Sequence, residues 1–279
     1  MATPCHPHRV ISDARLREIA DRLVAVDGVV AVLLGGSRAR GGHAPESDVD
    51  LGVYYRPPLD VGALRELAAP WGAVTSPGAW GPWVDGGAWL RIDDTAVDWI
   101  FRDVDRVQAA WRDARGGRHA WHAQVGHPLG FLDVAYAGEA ALGVVLADPT
   151  GELTALHRDA RLYPALLARS LVGRLDEAEF TITVARKVVG RGDSAYVAGC
   201  LFRAVGLCAH ALHAHAARWV VNEKGLVAAA GRLPGAPADF AARAQRLFAR
   251  TGSSPAELTA TLDAADALLT DVRRAVVRT

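Results

Sequence analysis

The sequence predicts an α+β protein: an N-terminal domain on a mixed β-sheet, followed by a C-terminal α-helical bundle. Three observations carry that expectation. The apolar runs "GAWLRI" and "AVDWIF" flank a tight acidic turn, which reads as a β-hairpin and requires an antiparallel pair. Upstream, "VVAVLL" and "DVDLGVYY" are short β-branched runs that read as buried strands. From about Phe131 onward Ala, Leu, Val and Arg dominate, and helical periodicity recurs between breaks at "ADPTGE", "GRGD", "GRLPGAP" and "TGSSP".

Taken in order, Ser12 or Asp13 can cap a helix whose apolar positions Leu16, Ile19, Ala20 and Leu23 share one face, ending near Asp27 and Gly28. The strand "VVAVLL" then meets a glycine turn, and "DVDLGVYY" is the second strand. "LDVGALRELAAPW" reads as a helix stopped by Pro70, and Trp71 to Val84 as loop around at most one short strand. After the hairpin, "DVDRVQAAWRDARGG" is a helix closed by two glycines. The change of character near "QVGHPLG" divides the chain into domains 1–126 and 127–279. In the second, Val197, Leu201, Val205, Cys208 and Leu212 step by threes and fours along one buried helix stripe.

Bulk properties narrow the function. The 279 residues suffice for two ordinary domains. Lys plus Arg and Asp plus Glu both number 31, so no global field draws the chain to nucleic acid or to a membrane surface, and neither partner is expected. Three cysteines, Cys5, Cys200 and Cys208, make no disulfide framework and fit a reducing cytoplasm. The first residues read as a short leader into a helix, and no apolar run is expected to span a bilayer. Lysine occurs only at Lys187 and Lys224 among many arginines, which singles out both positions.

The stretch "LLGGSRARGGHAPESDVDLGVYY" carries the chemistry. Asp48 and Asp50 lie two apart on a strand, so both project from one face, about 7 Å apart at the backbone. Carboxylates so placed can share hard divalent cations such as Mg²⁺. Asp98, acidic within the otherwise apolar "AVDWIF", offers a third carboxylate if its strand neighbours theirs. The Gly35-Gly36-Ser37 turn lets the backbone approach a phosphate, Ser37 adds a hydroxyl, and Arg38 and Arg40 add positive charge. A P-loop needs a Gly-Lys-Ser/Thr ending, and this half has no lysine. The dinucleotide G-x-G-x-x-G pattern is also missing from the turn. The histidines His210 and His213 lack partners at metal-ligand spacing and are not read as ligands.

Gly36-Ser37, ten residues, then Asp48-Val49-Asp50, with Asp98 on a later hairpin strand, resembles the polymerase-β-like nucleotidyltransferase superfamily. The likeness covers roughly the first 105 residues; more loosely, the helical half resembles the small-molecule antibiotic branch. The resemblance implies a Mg²⁺-dependent transfer of a nucleoside monophosphate, AMP from ATP by default, to a hydroxyl of a small molecule such as an aminoglycoside-like antibiotic. Asp48 and Asp50 would hold Mg²⁺, and Asp98 would complete the second metal site or take the hydroxyl proton. Gly36 and Ser37 would seat the terminal phosphates. Lys224 either contacts the triphosphate from the helical domain or is a solvated helix-start residue. The superfamily also contains antitoxins that adenylylate a partner protein, a second reading. Monomer and homodimer both remain compatible.

Overall fold

The computed structural model describes residues 11–39 and 48–277. In chain order the elements are α1 (Asp13–Val24), β1 (Val29–Leu34), α2 (Gly36–Ala39), β2 (Val49–Tyr55), α3 (Val61–Ala68), β3 (Gly87–Ile92), β4 (Thr95–Asp103), α4 (Val104–Arg115), β5 (Trp121–Gln124), β6 (His127–Leu132), α5 (Ala135–Leu142) and β7 (Val144–Ala147). Helices follow: α6 (Glu152–Ala160), α7 (Ala165–Gly173), α8 (Leu175–Arg186), α9 (Ser194–His215), α10 (Leu226–Ala230), α11 (Phe240–Ala249) and α12 (Pro255–Val277). The mixed α+β class is as expected.

The chain divides into two compact units, Met1–Arg112 with His122–Leu162, and Asp113–Trp121 with Tyr163–Thr279. The first unit thus runs past the boundary expected between residues 126 and 127. Strand β7 belongs to it and pairs antiparallel with β1 through Val32↔Ala147, Leu33↔Val145 and Leu34↔Val144. Its four residues, "VVLA", are too few to show a period of two against an alanine-rich background, so composition alone assigned them to the helical half.

In the first unit the sheet order is β3-β4-β2-β1-β7. Strands β2 and β4 run parallel, and the other neighbouring pairs run antiparallel. The β3–β4 hairpin turns at Asp93 and Asp94, both with positive φ, as a two-residue primed turn requires. Alternation along the strands sets two faces. Val49, Leu51 and Val53 of β2 and Val97, Trp99 and Phe101 of β4 point to the face covered by α1, which contributes Leu16, Ile19 and Leu23. Ser12 caps α1, its Oγ accepting from the Arg15 N–H at 3.2 Å. The other face carries Asp50, Gly52 and Tyr54 of β2 beside Asp98, Ile100 and Arg102 of β4. At the Tyr54 end this face packs with Val104, Val107, Phe131, Tyr136 and Ala140.

A buried ion pair fixes that packed end. Arg102 donates to both carboxylate oxygens of Glu139, at 2.6 and 2.8 Å, and to the carbonyls of Val84 and Phe101. Burial opposes its charge, and the Glu139 carboxylate more than offsets that, so its pKa is raised.

In the helical unit α9 is the central helix, packed by α7, α8, α10 and α12. By length and composition alone α9 could cross a membrane, contrary to the expectation that no segment would; 67% of its most apolar window is buried, as in a core helix. His210 on this helix is pushed down to about 3 by burial, aided by the neighbouring His213.

Candidate active site

Strand register places the carboxylates. Asp50 of β2 is directly opposite Asp98 of β4, on strands about 4.8 Å apart. Asp48 lies two residues before Asp50 and is exposed, whereas Asp50 and Asp98 are half-buried. Their proximity is visible in the electrostatics. Asp98 is pushed up to about 6, first by burial, then by the charges of Asp50 and Asp48. Asp50 and Asp98 therefore share one face, and Asp98 feels the charges of both other aspartates.

The glycine turn is shaped to the same carboxylate. The Gly35 N–H donates to the Asp50 carbonyl at 2.8 Å, extending the β1–β2 pairing by one step. Gly36 follows with φ +64, and a Cβ there would overlap Oδ2 of Asp50. Only glycine satisfies both conditions, because an L side chain is strained at that φ and has no space beside the carboxylate. Ser37 and Arg38 are half-buried in the single helical turn α2. Arg38 donates from Nη1 to the Ile11 carbonyl at 3.4 Å, and its Nε and Nη2 are buried without a partner among the described residues. Arg40, the second expected cation, lies outside the described residues. Lys224 belongs to the other unit, exposed in the turn before α10, where its backbone N–H donates to Asn222 Oδ1 at 2.8 Å.

The donor set suits a hard divalent cation. It consists of carboxylate oxygens whose repulsion a cation would relieve, and in the adjacent turn stands the Arg38 guanidinium, two of whose nitrogens have no partner among the described residues. Among the described residues no three acidic, imidazole or thiol groups are already gathered at ligating distance. Two parallel-strand carboxylates with a third two residues upstream match a cation that keeps water or phosphate oxygens among its ligands.

On the far side of Asp98 lies Trp89 of β3, its register partner. Trp89 is 67% exposed, and its ring stacks on Trp80 with centroids 4.4 Å apart and planes at 15°. The signal for this pairing is present in the sequence. Counting outward from the two-residue turn at Asp93 and Asp94 pairs Trp89 with Asp98. Trp83 stacks against His122 and lies near Phe131 and Tyr136.

A glycine turn is thus set against the Asp50 carboxylate, with Asp98 beside it on the same sheet face and Asp48 just before β2. Residues 14–78 match the nucleotidyltransferase domain family, so the chain carries that domain and is a nucleotidyltransferase enzyme. The match includes the turn, Asp48 and Asp50, and ends before Asp98. A solved nucleotidyltransferase-like protein from Exiguobacterium sibiricum 255-15 is similar at 15% identity, covering 92% of this chain and 74% of that one, with a TM-score of 0.40. No curated protein sequence matches the chain.

Proposed function

We propose that the enzyme moves a nucleoside monophosphate, AMP from ATP, to a hydroxyl of a small molecule such as an aminoglycoside-like antibiotic. The single observation that carries this reading is the row formed by Gly35, Asp50 and Asp98, with Gly36 shaped around the Asp50 carboxylate. Asp48 and Asp50, with Asp98, would hold Mg²⁺, which supplies charge neutralisation for the triphosphate and lowers the pKa of an acceptor hydroxyl. Gly36 and Ser37 seat the terminal phosphates, and Arg38 contributes a guanidinium that among the described residues is only partly hydrogen-bonded. Asp98 takes the acceptor proton. The hydroxyl oxygen bonds to the α-phosphorus, the bond from that phosphorus to the bridging oxygen breaks, and pyrophosphate leaves with the electron pair. Lys224 is a further candidate for the triphosphate, supported only by its being one of two lysines in the chain.

Small-molecule chemistry is favoured over a polynucleotide because the chain has no excess of basic residues. A cytoplasmic setting is supported by the sparse cysteines, of which Cys200 and Cys208 are free. The test is incubation with each labelled nucleoside triphosphate, Mg²⁺ and a panel of hydroxylated antibiotics. Label on a panel member, lost in Asp48→Asn and Asp50→Asn, is expected. Label on a protein instead would turn the assignment to the adenylylation of a partner.

A further inference from the structure

The row that begins at Gly35 does not end at Asp98. Register continues it to Trp89, so Gly35, Asp50, Asp98 and Trp89 lie side by side across β1, β2, β4 and β3. Order along this row has a chemical direction. The triphosphate is placed at the glycine end, Asp98 takes the acceptor proton, and the body of the acceptor must then extend beyond Asp98, over β3. We propose that the free face of Trp89, backed by Trp80, is the platform on which the acceptor binds, and that the acceptor is a polyhydroxylated saturated ring, sugar or cyclitol. This rests on the nucleotidyl transfer proposed above.

Three features make the stack a built surface. One is the floor beside it. In the next row Ile100 stands between Gly52 and Gly87, so no side chain rises from β2 or β3 there. At Gly87 a Cβ would meet the Trp99 carbonyl and lie 3.1 Å from Trp80 Cζ3, so Trp80 leans over β3 through the space the glycine leaves.

The second feature is preorganisation of Trp80. Its loop is tied by the buried Asp85, which accepts from Tyr55 Oη at 2.8 Å and from the Gly78 N–H at 2.7 Å. The Trp80 N–H donates to the Asp85 carbonyl at 2.8 Å, and the Trp80 carbonyl accepts from Gln124 Nε2 at 2.7 Å. Trp80 is thereby held before any ligand arrives, and Trp89 needs only to keep its stack.

The third is the choice of occupant. An exposed indole face takes the apolar C–H side of a sugar-like ring while leaving the ring's hydroxyls at the rim, where Asp98 accepts one of them. A flat aromatic acceptor would stack equally well but would carry no hydroxyl standing off its plane toward Asp98. A nucleobase on Trp89 would direct its phosphates back across Asp98, reversing the order of the row.

The experiment measures steady-state labelling with [α-³²P]ATP against kanamycin, streptomycin, lincomycin and the flat phenol 4-nitrophenol, for wild type, Trp89→Ala, Trp89→Phe and Asp50→Asn. The expected result is labelling of a ring-bearing compound, an acceptor KM at least tenfold higher in Trp89→Ala, an ATP KM within twofold of wild type, and recovery in Trp89→Phe. A raised ATP KM with the acceptor KM unchanged would assign the stack to the nucleobase and overturn the proposal. So would labelling of 4-nitrophenol alone, or of none of the four compounds. Failure of the underlying nucleotidyl transfer is read separately: pyrophosphate release would then be no lower in Asp50→Asn than in wild type.

Discussion

Replacing Asp98 by Asn should make the protein more stable while abolishing its chemistry, and the structure sets both the size and the pH dependence. Asp98 moves from its ordinary 3.8 to about 6 on folding, because burial and then the charges of Asp50 and Asp48 disfavour the ionised form. At 1.36 kcal/mol per unit that corresponds to ~3 kcal/mol at most. The side chain keeps some contact with solvent, which screens the charges, so ~1–2 kcal/mol is the working figure. The folded state binds this proton more tightly than the unfolded chain does. Its contribution is therefore complete below pH 3.8 and is lost as pH climbs through 6. Asn cannot ionise, so the variant escapes the loss. Urea denaturation at low salt without divalent cations should show an advantage of ~1–2 kcal/mol for Asp98→Asn at pH 8 and about half of that at pH 5, which lies between the unfolded and folded pKa values. Added Mg²⁺ should narrow the gap, since it stabilises the folded wild type by binding it. A variant less stable than wild type at pH 8, or a gap equal at pH 5 and pH 8, would refute the claim that burial and the charges of Asp50 and Asp48 disfavour ionised Asp98.

Two further perturbations test the frame around the site. Gly36→Ala forces an L side chain into a left-handed conformation, costing ~1–2 kcal/mol in urea denaturation, and its Cβ displaces the Asp50 carboxylate. Nucleotide turnover should fall ~100-fold, since misplacement by an ångström has that order of effect; near-normal turnover would detach Asp50 from the chemistry. Arg102→Met leaves the Glu139 carboxylate without its bidentate partner and should cost ~3–5 kcal/mol, with the loss largely recovered when Glu139→Leu is added.

How much of this was legible beforehand follows from how far each signal reaches along the chain. Helix α1 was readable because its cap and its four buried positions lie within one short periodic segment. The turn and the Asp48-Val49-Asp50 segment were readable for the same reason, and the family match covers both. Asp98 was harder, because a lone acid in a strand has no local meaning until the register with β2 is known. That register passes through α3, a loop and β3, and nothing local encodes it. Asp85 shows the limit most clearly. In "WVDGG" it reads as a turn residue, yet its carboxylate captures a hydroxyl from Tyr55, thirty positions away.

Register across a hairpin is the exception to this loss of long-range information. A two-residue turn sets every pairing in β3–β4 by simple counting, so the partner of Asp98 could be read once the turn at Asp93 and Asp94 was placed. That partner is an exposed tryptophan where the apolar pattern alone would bury one. An indole kept in solvent beside a buried-shifted aspartate has no packing to account for it on its outer face, and removing the ring while measuring acceptor and ATP affinities separately is the perturbation that asks what that face is for.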